Sequence, residues 1–435
     1  MRAQRHAVCQ LPLLAEASAG VTIATEGFAT SPLYPEMATD YQSAVRARSG
    51  NRADLAAALT DSRRQTLAGF AVYAEALPAL GVPQRADLNP PLWELGHIGW
   101  FQEWWTVRNP DVAQGWRADP LAARAAPLLP GADALYDSST VPHDSRWQLP
   151  LPDAGATRDY LAAGLEASLA ALAAAGPGDV DLYFHRLALF HEDMHNEAAI
   201  YMAHGLGIAL PVAAPVPVAP RGTWGVTATR HRLGWAGSGF AFDNELAGRT
   251  VDIGAFEIDA APVSNARFAA FVDAGGYADT RFWSAASRAW GQEQRASAPR
   301  FWRRAASTWQ QCWFGAWRDL EPDAAATNLN FFEAEAYCAW ARRRLPSEAE
   351  WELAALTLPG LAWGEVWEWT ADPFIPYPGF VTHPYRDYSA PWFGSRRVLR
   401  GASLATHARM RHPRYRNFFT PERNNIFAGF RTCTP

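Results

Sequence analysis

Residues 190–202 read FHEDMHNEAAIYM, and this stretch decides how the chain is organised. His191 and His195 are four positions apart, so on a helix they stand on one face, close enough to share a metal ion. An i, i+4 histidine pair in a polar surface helix would mean little. Here the neighbours are apolar and aromatic, which turns the pair toward a dry interior. Two imidazoles leave a first-row metal open on its other positions, so a further ligand has to come from elsewhere. The candidate is His97, in the aromatic segment LWELGHIGWFQEWW at 92–105.

Around this helix, residues 52–210 carry apolar residues at helical spacing. Helices are expected over Arg52–Leu80, from the Asn89-Pro90-Pro91 start through Trp105, over Thr157–Ala175 up to the breaker Gly176-Pro177-Gly178, and over Val180–Ala203. Four helices of such length suggest an up-and-down bundle with the metal site in its core. The connection at about 110–155 is long for a compact domain, and such loops tend to be functional or disordered. Residues 1–45 read as a disordered tail, and 46–210 as the bundle. PVAAPVPVAP (211–220) is a semi-rigid proline linker. From 221 to 435 the texture is loop-rich α+β, with β-like runs VDIGAFEID and RRVLRGAS and two clear helices, Asn265–Ala274 and Phe331–Arg344.

Composition narrows the chemistry. The 435 residues are 49% hydrophobic and 19% charged with a net charge of −5, which describes a globular protein without an electrostatic case for nucleic acid or anionic membrane. There is no lysine, so Schiff-base chemistry and a Walker-type phosphate lysine are excluded. Cys9, Cys312, Cys338 and Cys433 are scattered without a C-x-x-C, as suits a reducing cytoplasm. No apolar run is long enough for a signal-peptide core or a membrane span. The 20 tryptophans point to aromatic-lined pockets or a loop-rich core.

Longer phrases carry a resemblance. PVSNARFAAFVDAGGY, NLNFFEAEAYCAWARRRLPSEAEWE, EVWEWTADPF, VLRGAS and FAGFRT resemble the C-type-lectin-like domain of formylglycine-generating enzymes (sulfatase-modifying factors). A DinB-like four-helix bundle with H-x-x-x-H-x-E ahead of that domain is similar to the ergothioneine-biosynthesis sulfoxide synthases. The resemblance covers about 52–435 and implies a two-domain α+β protein holding nonheme Fe(2+) on His97, His191 and His195. It also implies use of O2 to join a sulfur donor to C2 of the imidazole of hercynine. Glu197 is expected to orient a histidine, and His185, off the ligand face, to be structural. A tyrosine from the second domain is expected to act as proton donor; Tyr377 is the first choice, with Tyr385 and Tyr388 close behind.

Departures from the best-known branch bear on the donor. Met194 stands where that branch has a hercynine-contacting glutamine. Asn417, Phe418 and Phe419 follow Arg416 where it has Arg-Asn-Trp-Asp, whose acid helps hold γ-glutamylcysteine. His143 and Arg146 stand where it has two carboxylate-binding arginines. The stretch HPRYRNFFTPERNNIFAGFRTC (412–433) instead resembles the branch that makes selenoneine from hercynine and a selenosugar, 1-seleno-N-acetylglucosamine. That implies a selenosugar-forming glycosyltransferase as functional partner, with a cysteine or γ-glutamylcysteine donor as the alternative. A formylglycine-type oxidase would need a second cysteine suitably spaced from Cys338, and a non-enzymatic binding protein would keep its ligand without metal.

Overall fold

The computed structural model describes residues 35–218, 222–246 and 248–435. Four long helices form the bundle: α2 (Arg52–Ala76), α3 (Pro91–Thr106), α5 (Ala154–Ala174) and α6 (Tyr183–Leu206). Their ends follow local chemistry. Asn51 and Asp54 make a reciprocal capping box at the start of α2, Asp153 caps α5, and Gly207 in the left-handed region closes α6. Almost every residue of α3 is buried, because α2, α5 and α6 surround it and the long connection crosses its remaining side.

That connection is a strap. It contains a short helix, α4 (Ala132–Tyr136), and hydrogen-bonds to α3 repeatedly. Trp93 donates to the Leu135 carbonyl at 2.8 Å, and Trp100 donates to Asp133 at 2.7 Å. A Cβ on Gly96 would lie 2.2 Å from the Tyr136 ring, so glycine is what lets the strap approach α3.

The expected tail needs correction at its end. Residues 35–45 belong to α1 (Pro35–Ser49), a helix seated on the second domain. Arg48 makes two hydrogen bonds to Glu245 at 2.8 and 2.9 Å, and Arg411 reaches Asp40 at 3.1 Å. The partners lie about two hundred residues and more away, so local periodicity could not announce this helix. Residues 1–34, the rest of the expected tail, lie outside the described residues. The linker prolines run along the second domain, where Val218 donates to Asp323 at 3.1 Å; 219–221 are likewise outside the described residues.

The second domain is built of small sheets. Strands β1 (Thr223–Val226) and β4 (Phe256–Asp259) pair, as do β2 (Thr229–Leu233) and β3 (Arg249–Ile253). Strands β5 (Trp302–Ala305), β6 (Thr308–Trp313) and β7 (Ala316–Asp319) form a three-stranded meander. The central sheet has the order β10 (Asn417–Phe419), β9 (Arg397–Gly401), β8 (Trp367–Pro373), β11 (Ala428–Gly429). The expected helices appear as α7 (Asn265–Asp273) and α9 (Phe331–Ala341). Two more, α8 (Ala285–Gln294) and α10 (Glu348–Thr357), exceed the two read from the sequence. α10 opens on a Ser347–Glu350 capping box, a signal that was present in LPSEAEWE. Buried arginines fasten this domain: Arg431 to Glu368, Arg416 to Glu348, and Arg400 to Glu348 and Glu352. Such pairs are costly to break because each partner would be left charged and dry.

Candidate metal centre

His191 and His195 project from one face of α6, and His97 from the middle of α3. One ring nitrogen from each lies within 4.8 Å of the other two. The Nε2 atoms of His191 and His195 are 3.2 Å apart. The Nδ1–H of His97 donates to the Tyr136 carbonyl at 2.7 Å, and Nδ1–H of His195 donates to Glu94 Oε2 at 2.5 Å. Both rings therefore keep Nε2 as the free lone pair, facing the shared centre. His191 is fixed by stacking instead: its ring lies 3.5 Å from that of Phe101, nearly parallel, and its buried Nδ1 has no partner among the described residues. Trp93 stacks on His97 at 4.8 Å.

The electrostatics hold His97 and His191 as neutral imidazoles, as metal ligation requires. Burial, with the neighbouring His195 adding to it, pushes His97 down to about 3, and burial holds His191 well below the ordinary histidine value. Burial alone would raise Glu94; its contacts with His195 and Asn89 overcome that and bring it down to about 2. It is an ionised acceptor. Three imidazole nitrogens around one point, two of the rings oriented by oxygen acceptors, fit a divalent first-row metal.

The other acids of the motif are occupied elsewhere. Glu192 accepts from Arg63 at 2.8 Å and Thr66 at 2.7 Å, and Asp193 from Ser62 at 2.8 Å and Arg409 of the second domain at 2.8 Å. Glu197 does not orient a histidine. It accepts from the Trp367 indole at 2.6 Å, Ser403 at 2.8 Å and Thr406 at 3.0 Å, so it fastens α6 to the second domain. The orienting carboxylate is Glu94, three residues before His97. Its sequence signal was a buried-type segment, WELGH, with one acid in it. His185 is buried away from the centre, with burial holding it down to about 4.

The structure does not bring Tyr377 to the triad. Its hydroxyl accepts from Arg400 at 3.0 Å and its ring lies under the Arg416 guanidinium at 4.0 Å, inside the second domain. The tyrosine beside the histidines is Tyr385, whose ring centroid is 6.2 Å from that of His191 and 4.9 Å from that of Phe101. Its loop is tied to α6 by the Tyr183–His383 hydrogen bond of 2.9 Å. Tyr388 lies one step farther out, hydrogen-bonded to Tyr415 at 3.1 Å.

Met194 faces the second domain, its sulfur 3.5 Å from the Tyr415 hydroxyl. Asn417 accepts from the Phe418 amide at 2.9 Å, and Phe418 stacks on Phe374 at 4.0 Å. Phe419 lies 5.6 Å from the Arg423 guanidinium, which in turn is 5.8 Å from Tyr201 of α6. His143 leaves the strap to donate through Nε2–H to the Leu88 carbonyl at 2.8 Å, in the segment that leads into α3. Arg146 lies 3.8 Å over Trp93, one ring away from His97.

Residues 218–361 and 360–434 match the sulfatase-modifying factor enzyme 1-like domain. The chain is 33% identical over 439 residues to hercynine oxygenase of Mycolicibacterium thermoresistibile, covering 88% of this chain and 94% of the relative. It is 34% identical over 400 residues to hercynine oxygenase of Mycobacterium tuberculosis, covering 79% and 90%. A formylglycine-generating enzyme of Streptomyces coelicolor is 31% identical over 276 residues, covering 46% of this chain and 87% of that protein. Among the described residues no helix is long and apolar enough to cross a membrane. A histidine-lined centre on a helical bundle, capped by a sulfatase-modifying-factor domain and similar to hercynine oxygenases over nearly their whole length, places the chain plainly: it belongs to the family of ergothioneine-biosynthesis sulfoxide synthases, oxidative enzymes that form C–S bonds.

Proposed function

We propose that this enzyme holds Fe(2+) on His97, His191 and His195 and uses O2 to join a selenosugar, 1-seleno-N-acetylglucosamine, to C2 of the hercynine imidazole. The triad supports this reading above all: three converging nitrogens leave a metal's remaining positions free. Bound iron would supply a place for a soft selenolate or thiolate and for O2 at one centre. The protein's own part is orientation and dryness. Tyr136 and Glu94 fix two imidazoles, Phe101 fixes the third, and Tyr385 stands nearby as a hydroxyl whose proton burial holds on to.

The overall change balances as a selenol plus the imidazole C2–H plus O2 giving a selenoxide and water. One oxygen atom ends on selenium and the other leaves as water with the selenol and C2 hydrogens. O2 is the four-electron oxidant.

The donor assignment is supported by what surrounds the second-domain strand β10. Phe419 replaces a carboxylate, Phe418 stacks on Phe374, and Met194 lies against Tyr415. Aromatic and thioether surfaces suit a neutral sugar ring better than a dipeptide with two carboxylates. The second reading is an ergothioneine-type synthase using cysteine or γ-glutamylcysteine, favoured by the relatives' name and by Arg146 near His97. A glycosyltransferase that forms the selenosugar would be the functional partner on the first reading.

Anaerobic loading with iron(II), followed by oxygenated turnover of hercynine with each donor and mass spectrometry of the products, tests both readings. Selenosugar should be joined far faster than γ-glutamylcysteine, because two lost charge-assisted carboxylate contacts cost the dipeptide about 1.5–3 kcal/mol each. Equal or faster turnover of γ-glutamylcysteine returns the enzyme to the sulfur branch. Alanine at any of the three histidines should abolish stoichiometric iron; full iron and activity in His97→Ala would defeat the ligand assignment.

A further inference from the structure

Beyond Glu94 the hydrogen bonds continue. Asn89 Nδ2 donates to Glu94 Oε1 at 2.5 Å, and Arg146 donates through Nη1 to Asn89 Oδ1 at 2.9 Å. The direction of this chain is fixed by chemistry. Arginine has only donors, so Asn89 must turn its oxygen to Arg146 and its NH2 to Glu94. Glu94 accepts from the Asn89 NH2 on one oxygen and from His195 Nδ1–H, at 2.5 Å, on the other. No member can be flipped without setting donor against donor or acceptor against acceptor.

Arg146 also approaches a second ligand. Its guanidinium lies 3.8 Å over Trp93, which stacks on His97 at 4.8 Å. Among the described residues its buried Nε has no partner, so one donor remains for whatever fills the space beside it. Arg146 sits on the strap, in the short helical segment His143–Gln148, whereas its two routes end on α3 and α6. It therefore joins the loop to the centre.

We propose that Arg146, Asn89 and Glu94 are a positioning relay through which the strap holds the metal ligand His195, so that the seating of Arg146 is felt as affinity and ligand geometry at the metal. This rests on the metal reading of the triad, but not on the identity of the donor. Arg146, placed by resemblance among the substrate contacts, thereby gains a task that needs no substrate.

The test uses the full chain and cobalt(II), whose visible ligand-field bands report coordination without turnover. Cobalt affinity and spectrum are measured for wild type, Glu94→Gln, Asn89→Leu, Arg146→Met and the Asn89→Leu/Arg146→Met double variant. Circular dichroism checks folding. Glu94→Gln should weaken binding by about 10–100-fold, the usual range for a partner of a ligating histidine. Asn89→Leu and Arg146→Met should each weaken it by roughly 3–10-fold and shift the bands, with the double variant no worse than the weaker single, because both cut one chain. Arg146→Lys keeps a donor for Asn89 and should recover most of the loss. Arg146→Met, on the loop, keeps the test open if Asn89→Leu fails to fold. Wild-type cobalt binding with unchanged affinity and bands in Asn89→Leu and Arg146→Met overturns the relay alone, as would fully additive losses. A wild-type chain that binds no cobalt overturns the relay and the metal reading together.

Discussion

Glu197 Oε1 lies 2.6 Å from the indole nitrogen of Trp367, and this contact joins α6 to strand β8 of the second domain's central sheet. The same carboxylate accepts from Ser403 and Thr406. Burial raises its pKa despite these donors and the Arg411 charge, the expected behaviour of a carboxyl removed from water. Two residues after His195, the chain has put its acid to work on domain seating.

Glu197→Ala should consequently leave iron stoichiometry intact while loosening the two domains. Three donors would lose their acceptor, and even one such charge-assisted bond is worth about 1.5–3 kcal/mol. Denaturant unfolding followed by tryptophan fluorescence should show the loss, and limited proteolysis should cut the chain faster. Loss of bound iron without loss of stability would instead assign Glu197 to the centre.

Gly96→Ala probes the strap. A Cβ there would meet the Tyr136 ring at 2.2–2.5 Å, and Tyr136 supplies the carbonyl that fixes His97. The ring has to move, and the backbone that carries the carbonyl is pulled with it. Overpacking of this kind costs about 1–3 kcal/mol. Both the unfolding midpoint and iron affinity should fall in Gly96→Ala. Gly205→Ala, where a Cβ meets nothing within 4 Å, serves as the control on α6.

The bundle was legible because α2, α3, α5 and α6 each carry helical spacing and punctuation in their own residues. His191 and His195 were legible for the same local reason. The strap's helix α4, the helix α1 and the role of Glu94 were not, because each is decided by a partner distant in sequence: Trp100 for Asp133, Glu245 for Arg48, His195 for Glu94. Glu197 shows the converse. Its spacing from His195 suggested a local partner, and a second-domain tryptophan took it. Tyrosines 377, 385 and 388 share one composition and one neighbourhood in the sequence; only the path of the loop, pinned at His383, separates them.

Glu333 gives a pH dependence with a definite sign. It is buried at the start of α9, accepts from the Asn330 amide at 2.8 Å and the Tyr277 hydroxyl at 2.5 Å, and burial raises it from 4.5 to about 7. Between those values the folded chain holds a proton that the unfolded chain releases. Its contribution to stability is therefore full below pH 4.5 and lost as pH rises through about 7. The swing is on the order of 3 kcal/mol at most. The urea midpoint of the wild type should fall from pH 5 to pH 8 relative to that of Glu333→Gln, which cannot ionise. Parallel profiles for the two proteins would show that Glu333 titrates normally.

The last prediction concerns the two tyrosines that the fold separates. Tyr385 is half-buried beside His191, and burial raises its phenol, so it stays protonated and can give a proton to an oxygen at the centre. Tyr377 is bound to Arg400 and lies under Arg416. It holds second-domain packing together. Tyr385→Phe should keep iron content and substrate affinity while slowing or diverting oxidation by about 10²–10⁴-fold, the usual cost of removing a positioned acid. Tyr377→Phe should leave the rate per folded, iron-loaded enzyme near that of wild type and lower stability by roughly 1–3 kcal/mol, since Arg400 would lose a buried acceptor. Single-turnover kinetics with product analysis, set beside thermal unfolding of both variants, separates the two roles. If Tyr377→Phe lost the oxidation and Tyr385→Phe kept it, proximity to the imidazoles would be the wrong guide to the proton donor, and the second-domain arginine cluster would have to be brought into the chemistry.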